Sequence, residues 1–363
     1  LRREIEPVPL TRFAAFLFAW QHLTPATRAS GRDGLRDVIR QLQGFELPAV
    51  AWERAVLPAR VDGYEPRWLD ECCLGGDVAW GRIAPRPGGG ERTQAATRNV
   101  PIALMEREHA ARLRRAAAPP SISPRARGVW DTLKTRGASF TQELAVAAHL
   151  LPAELDRALW ELVAAGLVTQ DGFAPIRALG AGTHRGRPRS RSAPRGHGRW
   201  SLTGEPLDDH PEQHWASLLL DRYGVVFRDL LAREHAAPPW YRLVPQFRAM
   251  ETRGDIRGGR FVAQVGGEQY ARPSAVEQLR RPVEPSTAPI CVSAVDPANI
   301  TALFPQGPRV RTHPANTVAF VNGTCLGIRQ GSEQWIDEHA PEEVKQAVQA
   351  ALRGSRQLGR TPR

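Results

Sequence analysis

The sequence predicts an α+β chain in which a helical module repeats and a small β-rich domain follows. The first observation is the repeat itself. Three stretches place apolar residues at helical spacing, then a glycine, then two short strand patterns. Their closing glycines, Gly76, Gly166 and Gly254, lie 90 and 88 residues apart, which is a regular internal period. The second observation is a change to short alternating strand patterns from about residue 287.

The second copy shows how each helix is predicted. Leu155, Leu159 and Leu162 fall on one helical stripe, and Gly166 stands where the left-handed residue that closes a helix belongs. Two more helices are predicted upstream, at about 123–136 and 140–149. This copy therefore begins with three consecutive helices.

A hairpin is predicted after the third helix. Residues 167–169 alternate in polarity and are expected to pair with 173–176 across a turn at Asp171-Gly172. Three helices followed by a hairpin are the order of a winged helix, whose third helix enters a DNA groove while the wing touches the backbone. The third copy repeats this order, with helices at 211–222 and 224–234 before Trp240 and a wing over 255–264.

We therefore predict tandem winged-helix modules followed by a small C-terminal β-barrel. The predicted winged helices occupy 1–110, 118–204 and 205–285, and the barrel with a terminal helix occupies 286–352. Segment 178–198 is rich in Gly, Pro, Ser and Arg, so we expect a disordered basic insertion there. It is either an electrostatic tether or a tolerated insertion, and 353–363 is expected to be a disordered tail.

The prediction of a small β-barrel, or alternatively an open sheet, depends on four short strand patterns and one turn. Asn322-Gly323 is a strong hairpin turn between two of the strands. The strands are predicted at 289–295, 309–312, 318–322 and 325–329, before a helix at about 341–352.

Composition favours an anionic partner. The 363 residues carry a net charge of +11, and nucleic acid is the commonest partner of such a chain. Four cysteines form no disulfide framework and have no zinc-ligand spacing, so we expect no metal site and a reducing, cytoplasmic location. No apolar run has the length of a membrane span. The absence of a starting Met suggests a piece of a longer protein.

The cations identify the third copy as the best nucleic-acid-binding surface. The third helices of the first two copies carry acids, among them Asp70, Glu71 and Glu161, which repel phosphates. In the third copy arginines alternate with aromatic residues, a pattern that suits phosphate contact and base stacking. The candidate nucleic-acid-binding residues are Trp240, Arg242, Arg248, Arg253, Arg257, Arg260 and Gln269.

Catalytic motifs are sparse. A Walker A loop needs Gly-Lys followed by Ser or Thr, and both lysines of the chain, Lys134 and Lys345, follow an apolar residue. We therefore predict no ATPase site. Asp296, in the sequence Asp-Pro-Ala-Asn after a predicted strand, is the candidate catalytic residue, since a carboxylate at a strand end could activate water. The alternative is that Asp296 only closes a turn.

Several long phrases resemble the C-terminal region of bacterial Lhr, the large helicase-related proteins. They include LPAELDRALWELVAAGLVTQDGFAPI, LLLDRYGVVFRDLLARE, RGDIRGGRFVAQVGGEQYARPSAV and SAVDPANITALFPQGPRV. The resemblance implies part of a 3′-to-5′ ATP-dependent DNA helicase that acts in DNA repair on single-stranded DNA and RNA:DNA hybrids. It also implies motor domains elsewhere that use ATP and Mg, a helicase core in the same polypeptide, and a homo-oligomer.

The chain is also similar to the AlkZ/YcaQ group of winged-helix DNA glycosylases. Those enzymes hold water with a Gln-x-Gln or Gln-x-Asp pair, and Gln41 and Gln43 fit these letters a few residues early. Some Lhr proteins are thought to remove uracil with an Asp near the C terminus, for which Asp296 and Asp337 are the two alternative candidates. Three hypotheses stay open: a binding and assembly module, a uracil or alkyl-base glycosylase, and a sequence-specific DNA reader.

Overall fold

A computed structural model describes residues 6–84, 100–114, 122–181, 198–204, 211–282, 285–305 and 307–358. Its helices are α1 (Leu10–Trp20), α2 (Gly31–Leu42), α3 (Leu57–Arg60), α4 (Pro66–Leu74), α5 (Ala110–Leu113), α6 (Pro124–Arg136), α7 (Thr141–Ala147), α8 (Pro152–Ala164), α9 (Ala174–Ala181), α10 (Glu212–Tyr223), α11 (Trp240–Thr252), α12 (Pro273–Arg280) and α13 (Glu342–Leu358). A π-helical turn, Trp52–Val56, leads directly into α3.

The strands are short, and most of them pair antiparallel. They are β1 (Ala29–Ser30), β2 (Leu47–Pro48), β3 (Val61–Asp62), β4 (Val78–Gly81), β5 (Pro101–Glu106), β6 (Val168–Gln170), β7 (Trp200–Leu202), β8 (Val225–Phe227), β9 (Arg257–Gly259), β10 (Gln269–Ala271), β11 (Ile290–Ser293), β12 (Thr317–Val321), β13 (Thr324–Gln330) and β14 (Glu333–Ile336). Their sheets are β1-β3, β2-β5-β4, β6-β7, β8-β10-β9 and β11-β12-β13-β14.

The chain divides into two compact units. The first unit comprises 1–41, 51–64 and 212–363, and the second comprises 42–50 and 65–211. The first predicted winged helix, 1–110, thus contributes residues to both units. Within the described residues, no helix is long and apolar enough to cross a membrane.

The second unit contains the middle winged helix. Helices α6, α7 and α8 precede β6, which pairs with β7, and Ser139 bridges to Trp200 as a third short strand. Leu155, Leu162 and Val163 of α8 are buried, and Gly166 has a φ of 72°, so the predicted helix stripe and its closing glycine are confirmed. Trp80 of β4 packs edge-on against Trp200, with ring centroids 6.2 Å apart.

The predicted strand at 173–176 is wrong. The structure has α9 (Ala174–Ala181) there, and the partner of β6 is β7, which follows the predicted insertion in the chain. Phe173 and Ile176 are buried, and the Phe173 ring lies edge-on to Trp80 at 6.4 Å. Packing of these apolar residues as the start of a helix takes the place of the local hairpin. Residues 182–197 of the predicted insertion lie outside the described residues.

In the first unit, the N-terminal helix packs against the last winged helix and the C-terminal sheet. Two aromatic contacts link these elements. The Phe13 ring of α1 lies 5.6 Å from Phe227 of β8, and the Phe18 ring lies 4.9 Å from Phe320 of β12. All four rings are buried, so α1 is a central core element of this unit.

The last winged helix departs from prediction at 224–234. In place of a continuous helix, β8 (Val225–Phe227) is followed by a 3-10 helix, Arg228–Arg233. Gly224 has a φ of 68°, and a side chain there would meet Phe16 of α1 at 2.7 Å. This glycine ends α10 and directs the buried, apolar β8 into pairing with β10.

The C-terminal region forms a four-stranded antiparallel sheet, which matches the open-sheet alternative, and the predicted β-barrel is not confirmed. In the part of the chain that the structure describes, β11 and β14 are the two edges of that sheet and do not pair with each other. The Asn322-Gly323 turn is confirmed, with φ of 50° and 81° joining β12 to β13. β14 was not predicted, and the pattern at 309–312 is not a strand.

Helix α13 covers one face of this sheet. Val344, Val348 and Leu352 pack against Ala319 and Val321 of β12. The helix runs to Leu358, beyond the predicted end at 352, and the remainder of the predicted tail, 359–363, lies outside the described residues.

Candidate nucleic-acid-binding surfaces

Helix α11 is the third helix of the last winged helix and has one buried face. Leu243, Phe247 and Met250 recur at helical spacing and pack into the core, which leaves the intervening positions exposed. Trp240 is half-buried, with its ring 5.6 Å from Phe247, whereas Tyr241 is 70% exposed. We call the exposed residues of α11 together with the exposed residues 253–260 the α11 surface.

Three arginines of the α11 surface are held by carboxylates. Arg253 Nε lies 2.9 Å from Asp255, Arg248 lies 2.7 Å from Glu268, and Arg242 lies 3.5 Å from Glu212. These cations are about half exposed or more, so the pairs add little stability. Each carboxylate does, however, reduce the attraction of its arginine for a phosphate.

The pair between Arg248 and Glu268 is the best defined of the three. The hydrogen bond from Arg248 lowers the pKa of Glu268 below its ordinary value. The same bond raises the pKa of Arg248. Both groups are therefore charged at neutral pH, and each neutralises the other.

The wing holds two arginines of a different kind. Arg257 begins β9 and Arg260 follows it, and both are exposed. Neither makes an ion pair with any residue that the structure describes. Gly258 between them donates its backbone N–H to Glu251 at 3.0 Å, and a side chain at Gly258 would meet that carboxylate. The wing thus passes close to the Glu251 side chain of α11 at this glycine.

The wing is not the local hairpin predicted around Gly258-Gly259. β9 pairs with β10, and Gly258 lies opposite Tyr270 in that ladder. Between the strands the chain turns inward, because Phe261, Val262 and Val265 are buried. The predicted turn glycines therefore lie within a strand.

Gln269 does not belong to the exposed surface, contrary to prediction. Its side chain is buried and lies against the backbone of the inward loop. Gln269 Oε1 accepts from the N–H groups of Phe261 and Val262, and Nε2 donates to the Val262 carbonyl. This amide satisfies three backbone groups that pairing with another strand would otherwise satisfy. Its role in the structure is to shape the wing.

Asp296 lies at the end of β11, as predicted, but it is sealed from solvent. Its two carboxylate oxygens accept from the guanidinium of Arg60, each at 2.7 Å, and Asp296 Oδ1 also accepts from the Ala298 N–H. Arg60 donates in addition to Gln21. Asp296 and Arg60 are 1% and 0% exposed. The geometry matches the turn-closing alternative and presents no free oxygen to a substrate.

The other glycosylase-type residues have separate surroundings. Gln41 Nε2 donates to the Trp20 carbonyl in the first unit. In the second unit, Gln43 Oε1 lies 3.0 Å from His109 Nδ1, within hydrogen-bond distance. Asp337 is half-buried, follows β14, and accepts from the His339 N–H. Of the two aspartates that the Lhr resemblance names, Asp337 is the more accessible.

The sequence predicts no metal site, and this stays a prediction. In the second unit, ligand atoms of Glu106, Glu108 and His109 lie within 4.8 Å of one another. His109 Nδ1 faces Gln43 at 3.0 Å and Glu106 at 3.3 Å, so contacts within the unit account for the position of the ring.

The middle winged helix offers a surface that the sequence reasoning missed. As predicted, its third helix, α8, carries acids, but two of them are engaged: Glu161 accepts from Ser123, and Glu154 from Arg125 and Leu151. The first helix, α6, instead exposes cations, with Arg127 and Lys134 placed over the Trp130 ring. Their spacing of three and four residues was the available signal.

The described elements define a protein of winged-helix domains combined with an antiparallel sheet. Two family models, both described as "large helicase-related protein, winged-helix domain", match it, one over residues 8–107 and the other over 205–289.

The chain belongs to the large helicase-related (Lhr) family. It is 32% identical over 402 aligned residues to the "Lhr helicase/ probable uracil glycosylase" of Mycolicibacterium smegmatis, an alignment that covers the whole chain. It is 30% identical over 414 residues to the "Lhr helicase/uracil glycosylase" of Escherichia coli, covering 97% of the chain. The chain spans 26% of the length of each relative.

Proposed function

We propose that this chain is a DNA-binding region of an Lhr-type 3′-to-5′ ATP-dependent DNA helicase, and that the last winged helix contacts DNA through its wing. The observation that supports this most is the pair of exposed arginines, Arg257 and Arg260, which no described carboxylate neutralises. In winged helices the wing lies along the nucleic-acid backbone, where such cations displace counterions from phosphates.

The α11 helix extends the same surface. Tyr241 offers an exposed aromatic ring on which an unpaired base could stack. The neighbouring Trp240 ring packs against Phe247 and Tyr270 and thereby stabilises the first turn of α11. Arg242, Arg248 and Arg253 contribute only after they leave their carboxylates, so we assign them a secondary role.

The remaining functional assignments concern the protein to which such a region belongs. We propose single-stranded DNA and RNA:DNA hybrids as substrates, a role in DNA repair, a homo-oligomeric assembly and a cytoplasmic location. ATP and Mg would act at motor domains of the same polypeptide, because neither lysine of this chain stands in a Walker A sequence.

The wing assignment is tested with the full chain and labelled single-stranded and duplex DNA at low salt. We expect Arg257→Ala/Arg260→Ala to weaken binding by about tenfold, because two phosphate contacts are lost. The matched control is Arg280→Ala/Arg281→Ala, which removes two exposed cations of the same domain outside the wing. Equal affinities for the two double variants would refute the wing assignment.

A second candidate function is uracil excision. Both relatives carry uracil glycosylase in their names, and the first unit places Asp337 in a half-buried position after an edge strand. A carboxylate of this kind could position a water or stabilise the developing charge on the sugar. Asp296 is the poorer candidate because Arg60 holds both of its oxygens.

Incubation with uracil-containing DNA tests this candidate. We expect abasic sites with the wild-type chain and a large loss in Asp337→Asn at an unchanged melting temperature. Asp296→Asn serves as the comparison, and its effect should follow destabilisation, since it leaves a buried arginine without its charge partner. A wild-type chain that forms no abasic sites would eliminate the candidate, and an active Asp337→Asn would eliminate that residue.

A further inference from the structure

The first helix of the middle winged helix carries two exposed cations and a half-buried tryptophan along one line. Arg127, Trp130 and Lys134 follow one another at spacings of three and four, which places them on one side of α6. The adjacent face of the helix is apolar and buried, with Ala126, Val129 and Leu133 packed into the second unit. We call Arg127, Trp130 and Lys134 the α6 stripe.

The two cations of the α6 stripe are positioned by the aromatic ring between them. The Arg127 guanidinium carbon and the Lys134 Nζ each lie 5.2 Å from the centre of the Trp130 ring. A ring attracts a cation through its quadrupole and takes away none of its charge. Both cations are exposed, and neither forms an ion pair with a described residue.

Nearby acids are occupied elsewhere or do not reach the stripe. Glu161 of α8 binds Ser123 through both oxygens, at 2.5 and 2.7 Å. Glu154 pairs with Arg125, two residues before the stripe, at 3.2 Å. Asp131, the acid within α6, makes no ion pair with Arg127 or Lys134. The stripe therefore presents two ordered, uncompensated positive charges beside an indole.

We propose that the α6 stripe is a second nucleic-acid-binding site, which takes the sugar–phosphate backbone without regard to sequence. Charge complementarity favours this ligand, since a polyanion with evenly spaced phosphates matches two fixed cations along one helix. The ring adds a flat apolar surface for an unpaired base when a cation swings toward its phosphate. The proposal takes its ligand class from the proposed function but uses different residues on a different winged helix.

This site would bind through the first helix of its domain. The third helix, α8, carries acids and is unsuited to phosphates, so the sequence alone favours an architectural role for this module. With the α6 stripe, the same module holds nucleic acid on another side. The chain then has two backbone contacts, on α6 and on the wing.

The test measures the affinity of the full chain for a labelled oligothymidine and for a random-sequence duplex at low salt. We expect Arg127→Ala/Lys134→Ala to bind both ligands about five- to tenfold more weakly. Arg112→Ala/Arg157→Ala removes two exposed cations of the same unit that form no ion pair with a described residue, and it should stay within about twofold of wild type.

Replacement of the ring separates positioning from charge. Trp130→Ala keeps both cations and should still weaken binding by about threefold, whereas Trp130→Phe, which keeps a ring, should remain near wild type. Circular dichroism establishes that each variant is folded. Affinities of the α6 variants equal to that of the Arg112/Arg157 control would overturn the proposal.

The outcome for the wing is read in the same assay. A loss in the Arg257/Arg260 variant without a loss in the α6 variants would overturn this inference and leave the proposed function in place. A loss in the α6 variants alone would support the stripe and reject the wing assignment. A wild-type chain that retains neither ligand would overturn both.

Discussion

The α11 surface and the α6 stripe both combine cations with an aromatic residue, yet they differ in what holds the cations. On α11, Arg242, Arg248 and Arg253 lie against carboxylates. On α6, two cations lie over the Trp130 ring. A carboxylate cancels the charge that it positions, whereas a ring leaves the charge intact. The three carboxylate-bound arginines of the α11 surface therefore offer less available charge than the two cations of the α6 stripe.

The largest effect is expected from charge reversal on α6. Arg127→Glu/Lys134→Glu removes two uncompensated cations and adds two repulsive anions, so we expect about a hundredfold loss of single-stranded DNA affinity at low salt. The slope of log affinity against log salt is negative, and in the corresponding alanine variant it should be less steep by about 1.4, or about 0.7 per lost contact. A salt titration monitored by fluorescence anisotropy measures both values.

Arg112→Glu/Arg157→Glu controls for the change in net charge. If it lowers the affinity as much as the α6 reversal does, the effect comes from the overall field of the protein, and the contrast between the two surfaces fails.

The next largest effect concerns the shape of the wing. Gln269→Ala leaves the backbone groups of Phe261 and Val262 without partners in a buried loop, so we expect the free energy of unfolding to fall by about 2 kcal/mol. Urea unfolding measures this change. Gln278→Ala, at an exposed position of α12, should stay within about 0.5 kcal/mol of wild type.

Gln269→Ala should also weaken DNA binding through the wing. The part of the DNA affinity that Lys134 of the α6 stripe contributes should not change. A Gln269→Ala chain as stable as the Gln278→Ala chain would contradict the structural role of this amide.

The smallest effect is expected from release of Arg248. Glu268→Gln removes the carboxylate that neutralises this arginine, so DNA affinity at neutral pH should rise by about threefold. Glu277→Gln removes an exposed acid of the same domain and serves as the control. An equal rise in both variants would mean that net charge alone is responsible, and that the carboxylate does not restrain Arg248.

The same pair predicts a pH dependence. The pKa of Glu268 is lowered by Arg248, so the pair is intact above the ordinary value of 4.5 and is lost as the pH falls through the lowered pKa. An NMR titration of the Glu268 carboxylate should give a pKa below 4.5 in the wild-type chain, and Arg248→Ala should return it to the ordinary range. A wild-type pKa at or above 4.5 would contradict the pairing.

Local sequence rules were sufficient for helices and turns. The closing glycines Gly76, Gly166 and Gly254 all have positive φ, and Asn322-Gly323 forms the predicted hairpin turn. These features depend on residues within a few positions of each other, so one stretch of sequence contains the whole cause. The membership of the Lhr family was likewise evident from long phrases of sequence.

The errors share a different cause, which is pairing over long distances in the chain. Strand β8 was predicted as helix because its partner β10 lies more than forty residues later. Asp296 was taken for a site residue because its partner Arg60 is 236 residues away. The spacing of the α6 stripe could be seen in the sequence, but only the structure shows that Glu154 and Glu161 of α8 are engaged by Arg125 and Ser123.

The buried pair of Arg60 and Asp296 also has a consequence for folding during synthesis on the ribosome. Ribosomes add about 5–20 residues per second, so the 236 residues between the two take about 12–47 s to appear. During that interval α1 and α3 have emerged, while Phe320 and Asp296, against which they are buried, have not yet been synthesised. The first unit therefore cannot complete its core during that interval, and the apolar face of α1 lacks its contact with the C-terminal sheet until that sheet is synthesised.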